Sequence, residues 1–291
     1  MIMMMPTYQK GPFEPNSRRA GFHNSAQRAI FHYHAPRAIT FNCARRAIFL
    51  LACALLSRFA VAFAETPETA ETIVKKLEAN QVYDTSRLSA RLTVTNRFGV
   101  SESSFSAYAR KGGDALIVIT EGPDRGQKVL RQGENLYLYY PEAEDVIWLK
   151  GSALKDSLMG SDFSYEDITD DGSILGRYTV TLDGTESFDG ASCYRVTLMA
   201  KSRKEPYARE DLLIDGALFV IRKATLYSAA GKAIRELTAR DVRSVAARNV
   251  PFTTVMRDLL KKDSSTEMTI ERMEIDIPLP EKYFNREELS W

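Results

Sequence analysis

The spacing of hydrophobic residues changes along the chain, and the change separates one helix from a long series of strands. Ala70, Ile73, Val74 and Leu77 recur on one helical face behind Thr66 as N-cap and Pro67 at a helix-compatible first position, which predicts an amphipathic helix. From Leu88 to Phe98 the period falls to two. Leu92, Val94, Asn96 and Phe98 face one way and Arg91, Thr93, Thr95 and Arg97 the other, so one face is wet. Short strands follow at 105–110, 116–120 and 128–131, divided by Lys111-Gly112-Gly113-Asp114 and Glu121-Gly122-Pro123-Asp124, which are turn sequences.

At the centre the pattern differs. Leu136, Leu138 and Tyr140 lie on one face of a strand and Tyr137 and Tyr139 on the other, so neither face reads as solvated; one is expected to be covered and the other partly wet. Pro141–Asp145 makes the turn, and Val146-Ile147-Trp148-Leu149 returns. Ser152 is placed to cap a short helix through Leu154, Leu158 and Met159 that Gly160 stops, ahead of an aromatic, acidic loop at Ser161–Asp167. A second strand series runs over 177–182, 194–199, 211–214, 218–227 and 234–240, with Asp-Gly and Ala-Gly breaks at the spacing of an up-and-down meander. Residues 251–260 fit a helix face through Phe252, Val255, Met256, Leu259 and Leu260, while Thr253-Thr254-Val255 favours a strand. Thr266–Ile275 is a further strand, Pro278-Leu279-Pro280 ends the sheet, and the tail to Trp291 is expected to pack loosely.

Gly133-Glu134-Asn135-Leu136-Tyr137-Leu138-Tyr139-Tyr140-Pro141, then an apolar run and Gly160-Ser161-Asp162-Phe163-Ser164-Tyr165-Glu166-Asp167, resemble the outer-membrane lipoprotein-sorting (LolA-like) family over about Thr66 to Leu289. The resemblance implies a mainly β (α+β) fold, an open and strongly curved antiparallel half-barrel whose concave face is covered by helices and encloses an apolar cavity for acyl chains. It also turns residues 251–260 into a hairpin strand. Leu136, Tyr137, Leu138, Tyr139, Trp148, Phe163 and Tyr165 become candidate cavity-lining residues, and a charge at Phe163 is expected to cost lipid binding more than folding. Lys111 stands where the family has a basic residue that latches the covering helices. Here Gly112 replaces the family's proline, and a lysine cannot form arginine's bidentate fork.

Charge divides the chain in two. Residues 1–64 hold eight basic residues against one acidic, leaving 31 against 37 in residues 65–291; a mildly acidic folded part argues against nucleic acid. Arg45-Arg46, the apolar run Ala47–Leu56 and Ala62-Phe63-Ala64 form the three regions of a secretory signal, with cleavage between Ala64 and Glu65. Residues 1–64 are thus an N-terminal extension, read as a misassigned start, plus a signal peptide, and residues 65–291 are one LolA-like domain. The runner-up for the leader is lipidation at Cys53.

All three histidines, His23, His32 and His34, precede the cleavage point, which removes imidazole-based triads and most zinc sites. Cys193 would be the sole remaining cysteine, a small structural residue. Asp162, Glu166, Asp167, Asp170 and Asp171 match no calcium loop and are read as a solvated loop that positions Phe163 and Tyr165. The expectation is a non-enzymatic, monomeric periplasmic carrier without cofactor or metal. It would bind lipoprotein acyl chains or phospholipid between the inner and outer membranes, with an inner-membrane transporter as donor. An envelope-stress sensor of the same fold and a secreted carboxylate-dependent hydrolase are the alternatives. N-terminal sequencing of the exported protein is expected to begin at Glu65; a lipid-modified Cys53 terminus would make the chain membrane-tethered instead.

Overall fold

The computed structural model describes residues 68–290 apart from 134 and 170–172; the signal and its cleavage site lie outside these residues. Helix α1 (Ala70–Ala79) starts at Thr69, whose Oγ1 accepts the Thr72 amide at 3.2 Å, and it buries Ala70, Ile73, Val74 and Leu77 as the spacing predicts. Two meanders follow. The first is β1 (Thr85–Asn96), β2 (Gly99–Arg110), β3 (Asp114–Glu121), β4 (Lys128–Gln132), β5 (Asn135–Tyr140) and β6 (Asp145–Leu149). The second is β7 (Tyr178–Phe188), β8 (Ala191–Ala200), β9 (Arg209–Asp215), β10 (Ile221–Tyr227), β11 (Ala233–Val245), β12 (Arg248–Asp258) and β13 (Ser265–Ile275). Residues 251–260 are therefore mostly strand.

Each meander is a run of antiparallel neighbours, and β1 pairs with β13 to join them into one 13-stranded sheet whose edges are β6 and β7. The sheet is an open half-barrel. Register shifts at Ser89/Ala90, Ser104/Phe105 and Leu182/Gly184 mark bulges, which bend strands and sharpen the twist that curves the sheet. On the concave face Leu88, Ala90, Leu92 and Val94 of β1, Leu212 and Ile214 of β9, and Leu237 and Ala239 of β11 form one core with α1.

Because the two edge strands are consecutive in the chain, the segment between them has to cross the concave opening. It does so as a broken cover: 3₁₀ turns at Gly151–Lys155 and Leu158–Gly160, then α2 (Tyr165–Thr169) and α3 (Ile174–Arg177). The single helix expected from Ser152 to Met159 does not form. Asp156 and Ser157 are extended, Met159 has φ 49°, and the Leu158 amide donates to the Phe163 carbonyl at 2.8 Å. That tight reversal lets Leu158 and Phe163 reach one patch of core, which a straight helix of this length would not.

The outer face also carries apolar packing. Leu116, Leu130, Tyr137 and Tyr139 are sealed by Leu289, with Tyr108 against Tyr283 at 4.3 Å between ring centroids. The tail is thus not loose: it forms 3₁₀ turns at Glu281–Phe284 and Arg286–Glu288, Lys128 Nζ donates to the Leu289 carbonyl at 2.7 Å, and Phe284 is buried beneath Arg110. Sequence reading missed this because nothing in a short Pro-flanked tail marks which sheet face it meets. No helix among the described residues is long and apolar enough to cross a membrane. Replacing Phe284 with Ala is expected to lower unfolding free energy by about 3 kcal/mol, measured by urea denaturation; a change within error would show that the tail adds nothing to the sheet.

Candidate functional site

The seven candidate lining residues do not converge on one cavity. Leu136 and Leu138 face the concave core, whereas Tyr137 and Tyr139 belong to the outer cluster under the tail. Trp148 pairs with Tyr137 across β5 and β6, so it shares that outer face, where it is 49% exposed with the two rings 6.3 Å apart. Phe163 is wholly buried in the concave core, and Tyr165 packs partly buried beside it. Burial and the nearby Tyr140, Asp124 and Asp156 push the Tyr165 phenol up to about 12. Phe163 is therefore packed as core, and a charge there is now expected to strike folding first, the reverse of the expectation from sequence.

Nor is Lys111 the latch. Its Nζ lies 3.4 Å from Asp84 Oδ1 in an exposed turn, at the end of the sheet where β2 meets β3. Of the five acids read as a solvated loop, Asp162 and Asp167 are buried and fasten the cover, while Asp170, Asp171 and the side chain of Glu166 lie outside what is described. Asp162 Oδ1 accepts Ser264 Oγ at 2.6 Å, its amide donates to Thr266 Oγ1 at 2.8 Å, and Lys261 Nζ stands 3.5 Å away. Asp167 Oδ2 accepts the Ser164 amide and hydroxyl at 2.8 and 2.7 Å and pairs with Arg235, while Oδ1 accepts the Tyr207 hydroxyl at 2.7 Å. Burial alone would raise the Asp167 carboxyl; the Arg235 guanidinium and these donors outweigh it and hold it below the ordinary carboxylate range. This clasp is intact at neutral pH and weakens only as pH falls through that depressed value. At the other end of the cover Glu78 of α1 accepts the Ser173 hydroxyl at 2.9 Å and the Ile174 amide at 2.7 Å.

Beneath α1 the concave core leaves a cavity of about 80 Å³. Leu77, Leu88, Ile221, Leu237, Ile270 and Met273 are among its walls, and no Asp, Glu, Lys, Arg or His lines it. Asn80 also lines it, its Nδ2 donating to the Leu218 and Phe219 carbonyls at 2.9 Å and its Oδ1 accepting the Asn249 amide at 3.1 Å. Sequence reading placed none of these residues in a site. Helix spacing marks Leu77 and strand alternation marks Leu88 as inward-facing, but the register shift of β13 against β1 is what brings both Ile270 and Met273 to the cavity. A hole of about 150 Å³ holds a benzene, so the present cavity is a seed that an acyl chain would have to enlarge.

Deeper in the core, Glu210 is 4% exposed on the same face as Leu212 and Ile214, and among the described residues its Oε2 has no hydrogen-bond partner. Burial pushes its carboxyl up to about 7, against the opposing hydrogen bond of the Tyr178 hydroxyl. Cys193 is buried and its thiol is pushed up by burial and by Asp215, which makes it a poor nucleophile. No group of three or more metal-ligating side chains gathers among the described residues.

The half-barrel with a helical cover defines the protein by class, and comparisons with known proteins agree. A family model described as "-like: Uncharacterized protein" matches residues 112–291, more than half of the chain, and the chain belongs to that family. No curated protein matches. A putative outer membrane lipoprotein-sorting protein domain from Vibrio parahaemolyticus superposes with TM-score 0.70 at 19% identity, over 77% of this chain and 98% of that one. A DUF1329 family protein from Desulfovibrio piger gives 0.69 at 22%, over 75% and 96%. A LolA superfamily protein from Nitrosomonas europaea gives 0.63 at 21%, over 76% and 99%. The fold is that of the LolA-like proteins, as the sequence resemblance implied.

A carboxyl raised from 4.5 to about 7 by folding binds its proton more tightly in the folded state, so stability is lost as pH rises between these values. The loss is on the order of 3 kcal/mol. Glu210→Gln is expected to remove that decline and to be the more stable form at pH 8, as read by thermal melts across pH; an unchanged profile would show that Glu210 is not titrating there.

Proposed function

We propose that the chain is a periplasmic carrier that takes lipoprotein acyl chains or phospholipid tails into its concave apolar face for passage from the inner to the outer membrane. The observation that carries this reading is the combination of a charge-free apolar lining under α1 with a cover that fills the rest of that face through Leu158, Phe163, Ile168 and Ile174. The cover belongs to no strand of the sheet, so it can leave without breaking the β ladder. Breaking a buried ion pair such as Asp167–Arg235 costs about 3–5 kcal/mol. Burial of acyl chain returns roughly 0.8 kcal/mol per methylene, so about six methylenes offset one clasp. A full chain is long enough to displace the cover, whereas a short one is not.

The lipoprotein-sorting description of the Vibrio parahaemolyticus domain agrees with this reading at the level of fold. No imidazole is among the described residues, and the sealed carboxyls offer no route for hydrolysis, which favours carriage over catalysis. A monomer working with an inner-membrane donor fits a site built entirely within one chain.

Native mass spectrometry of protein purified from its own host's periplasm is expected to show a bound lipid or acylated peptide. Titration with a fluorescent long-chain fatty acid should show Asp167→Ala binding at least about tenfold tighter than wild type, since the clasp no longer has to be broken on loading. Short-chain analogues should not bind wild type, because they bury too few methylenes to offset the clasp. A folded wild type that captures no lipid in either assay would sink the carrier reading.

A further inference from the structure

The hairpin tips at one end of the sheet differ from everything else on its surface. The register places the β1–β2 tip beside the β12–β13 tip, since Thr95 opposes Ser265 and Asn96 opposes Gly99. At these tips, about 10 Å apart by strand spacing, stand large exposed apolar side chains: Phe98, 83% exposed, and Leu260, 58% exposed, with Leu259 next to it. Val100 is also exposed beside Phe98. Local bonds fix the backbone of these turns. Asn96 Oδ1 accepts the Phe98 amide at 2.8 Å, Asp258 Oδ1 accepts the Leu260 amide at 2.9 Å, and the Leu259 amide donates to the Ile234 carbonyl at 2.9 Å.

Cations flank each apolar tip. The Arg97 guanidinium lies 4.6 Å from the Phe98 ring centroid, and Lys261 and Lys262 follow Leu260. The β10–β11 turn adds Lys232, and the β8–β9 turn at the same end adds Lys201, Arg203 and Lys204, all exposed. These four tips hold seven basic residues against the carboxylates of Glu205 and Asp263. Of the remaining tips of that end, the β5–β6 turn is acidic, with Glu142 and Glu144, while on the β3–β4 turn Asp124 is balanced by the exposed Arg125. The folded part as a whole is acidic, so this basic half-rim is a local concentration and not a general trend.

We infer that this half-rim is a docking surface for an anionic lipid bilayer, with Phe98, Leu259 and Leu260 entering the interfacial region and the basic side chains set among the headgroups. A protein partner would be met by a packed groove or pocket; here separate apolar points project, each beside a long cationic chain able to extend to the headgroups. A positively charged group near an anionic membrane surface multiplies binding by about fivefold, so several together make a weak reversible attachment, suited to a protein that must leave again. The same β12–β13 hairpin supplies Lys261, Ser264 and Thr266 to the cover's Asp162, so docking sets the cover clasp at the lipid surface. The inference stands apart from the cargo reading, because a docking rim does not require an apolar pocket.

The test is flotation with vesicles of phosphatidylcholine alone and of phosphatidylcholine mixed with phosphatidylglycerol, using the full chain expressed and processed in its host. Wild type should bind the anionic vesicles at least about tenfold better than the neutral ones and release them as salt is raised from about 0.1 to 1 M. The double change Arg97→Glu with Lys262→Glu should lose that preference by more than about tenfold. Phe98→Ser with Leu260→Ser should weaken binding to anionic vesicles by about tenfold while fatty-acid affinity and melting temperature stay at wild-type values. Equal binding of wild type to both vesicle types, variants that float like wild type, or a rim that binds an acidic protein and no vesicle would each overturn the inference. Loss of fatty-acid binding with vesicle docking intact would instead count against the carrier reading alone.

Discussion

Two unpaired sheet edges that follow one another in sequence set the architecture of this protein. Pairing of β1 with β13 puts the first and last strands at the middle of the sheet and leaves β6 and β7 at its margins. Every other connection between consecutive strands is a short turn, so the passage from β6 to β7 alone has to travel across the open face. Exposed edges and an uncovered apolar face are both liabilities for a free chain, and one segment relieves the second of them.

That segment is held by a balance rather than by bulk. Its Leu158, Phe163, Ile168 and Ile174 pack into the concave core, and polar clasps fix its ends. Asp162 and Asp167 are buried and take donors from the β12–β13 hairpin, the β8–β9 loop and β11, and for Asp167 the Arg235 guanidinium outweighs burial and keeps the carboxylate charged. Glu210 shows the opposite case in the same core: with one oxygen unpaired it favours the neutral form. Neighbouring carboxyls thus titrate in opposite directions according to their partners.

The two faces of the sheet answer different demands. On the outer face of β2 to β5, tyrosines and leucines are closed permanently by the tail, with Arg110 tied to Asp114 and Glu281 at 2.7 Å. On the concave face, closure depends on loop-borne contacts and leaves a cavity under α1. The hairpin that clasps Asp162 also carries the exposed Leu259 and Leu260 and the basic Lys261 and Lys262, so one end of that clasp lies at the basic and apolar rim.

The periodic elements were legible in the sequence because their signals are local. A period of 3.6 over Ala70–Leu77 and alternation over Leu88–Val94 follow from backbone geometry alone, and both elements form as read. The two-sided apolar character of β5 was equally visible, but the sequence does not say what covers each face, so residues of both faces were assigned to one pocket although they belong to two clusters. Phe98 reads as the next inward residue of its strand, yet the chain turns at Asn96 and leaves it in solvent. The residues under α1 and the clasp partners Tyr207, Arg235, Ser264 and Thr266 are separated by long stretches of chain, and their meeting depends on the register of β1 with β13 and on the route of the cover. Local chemistry therefore determined the strands, the helix and the absence of imidazole chemistry after residue 64. Only tertiary structure decided which acids are clasps and where the cavity lies, because burial and pairing across the sheet are properties of distant residues brought together.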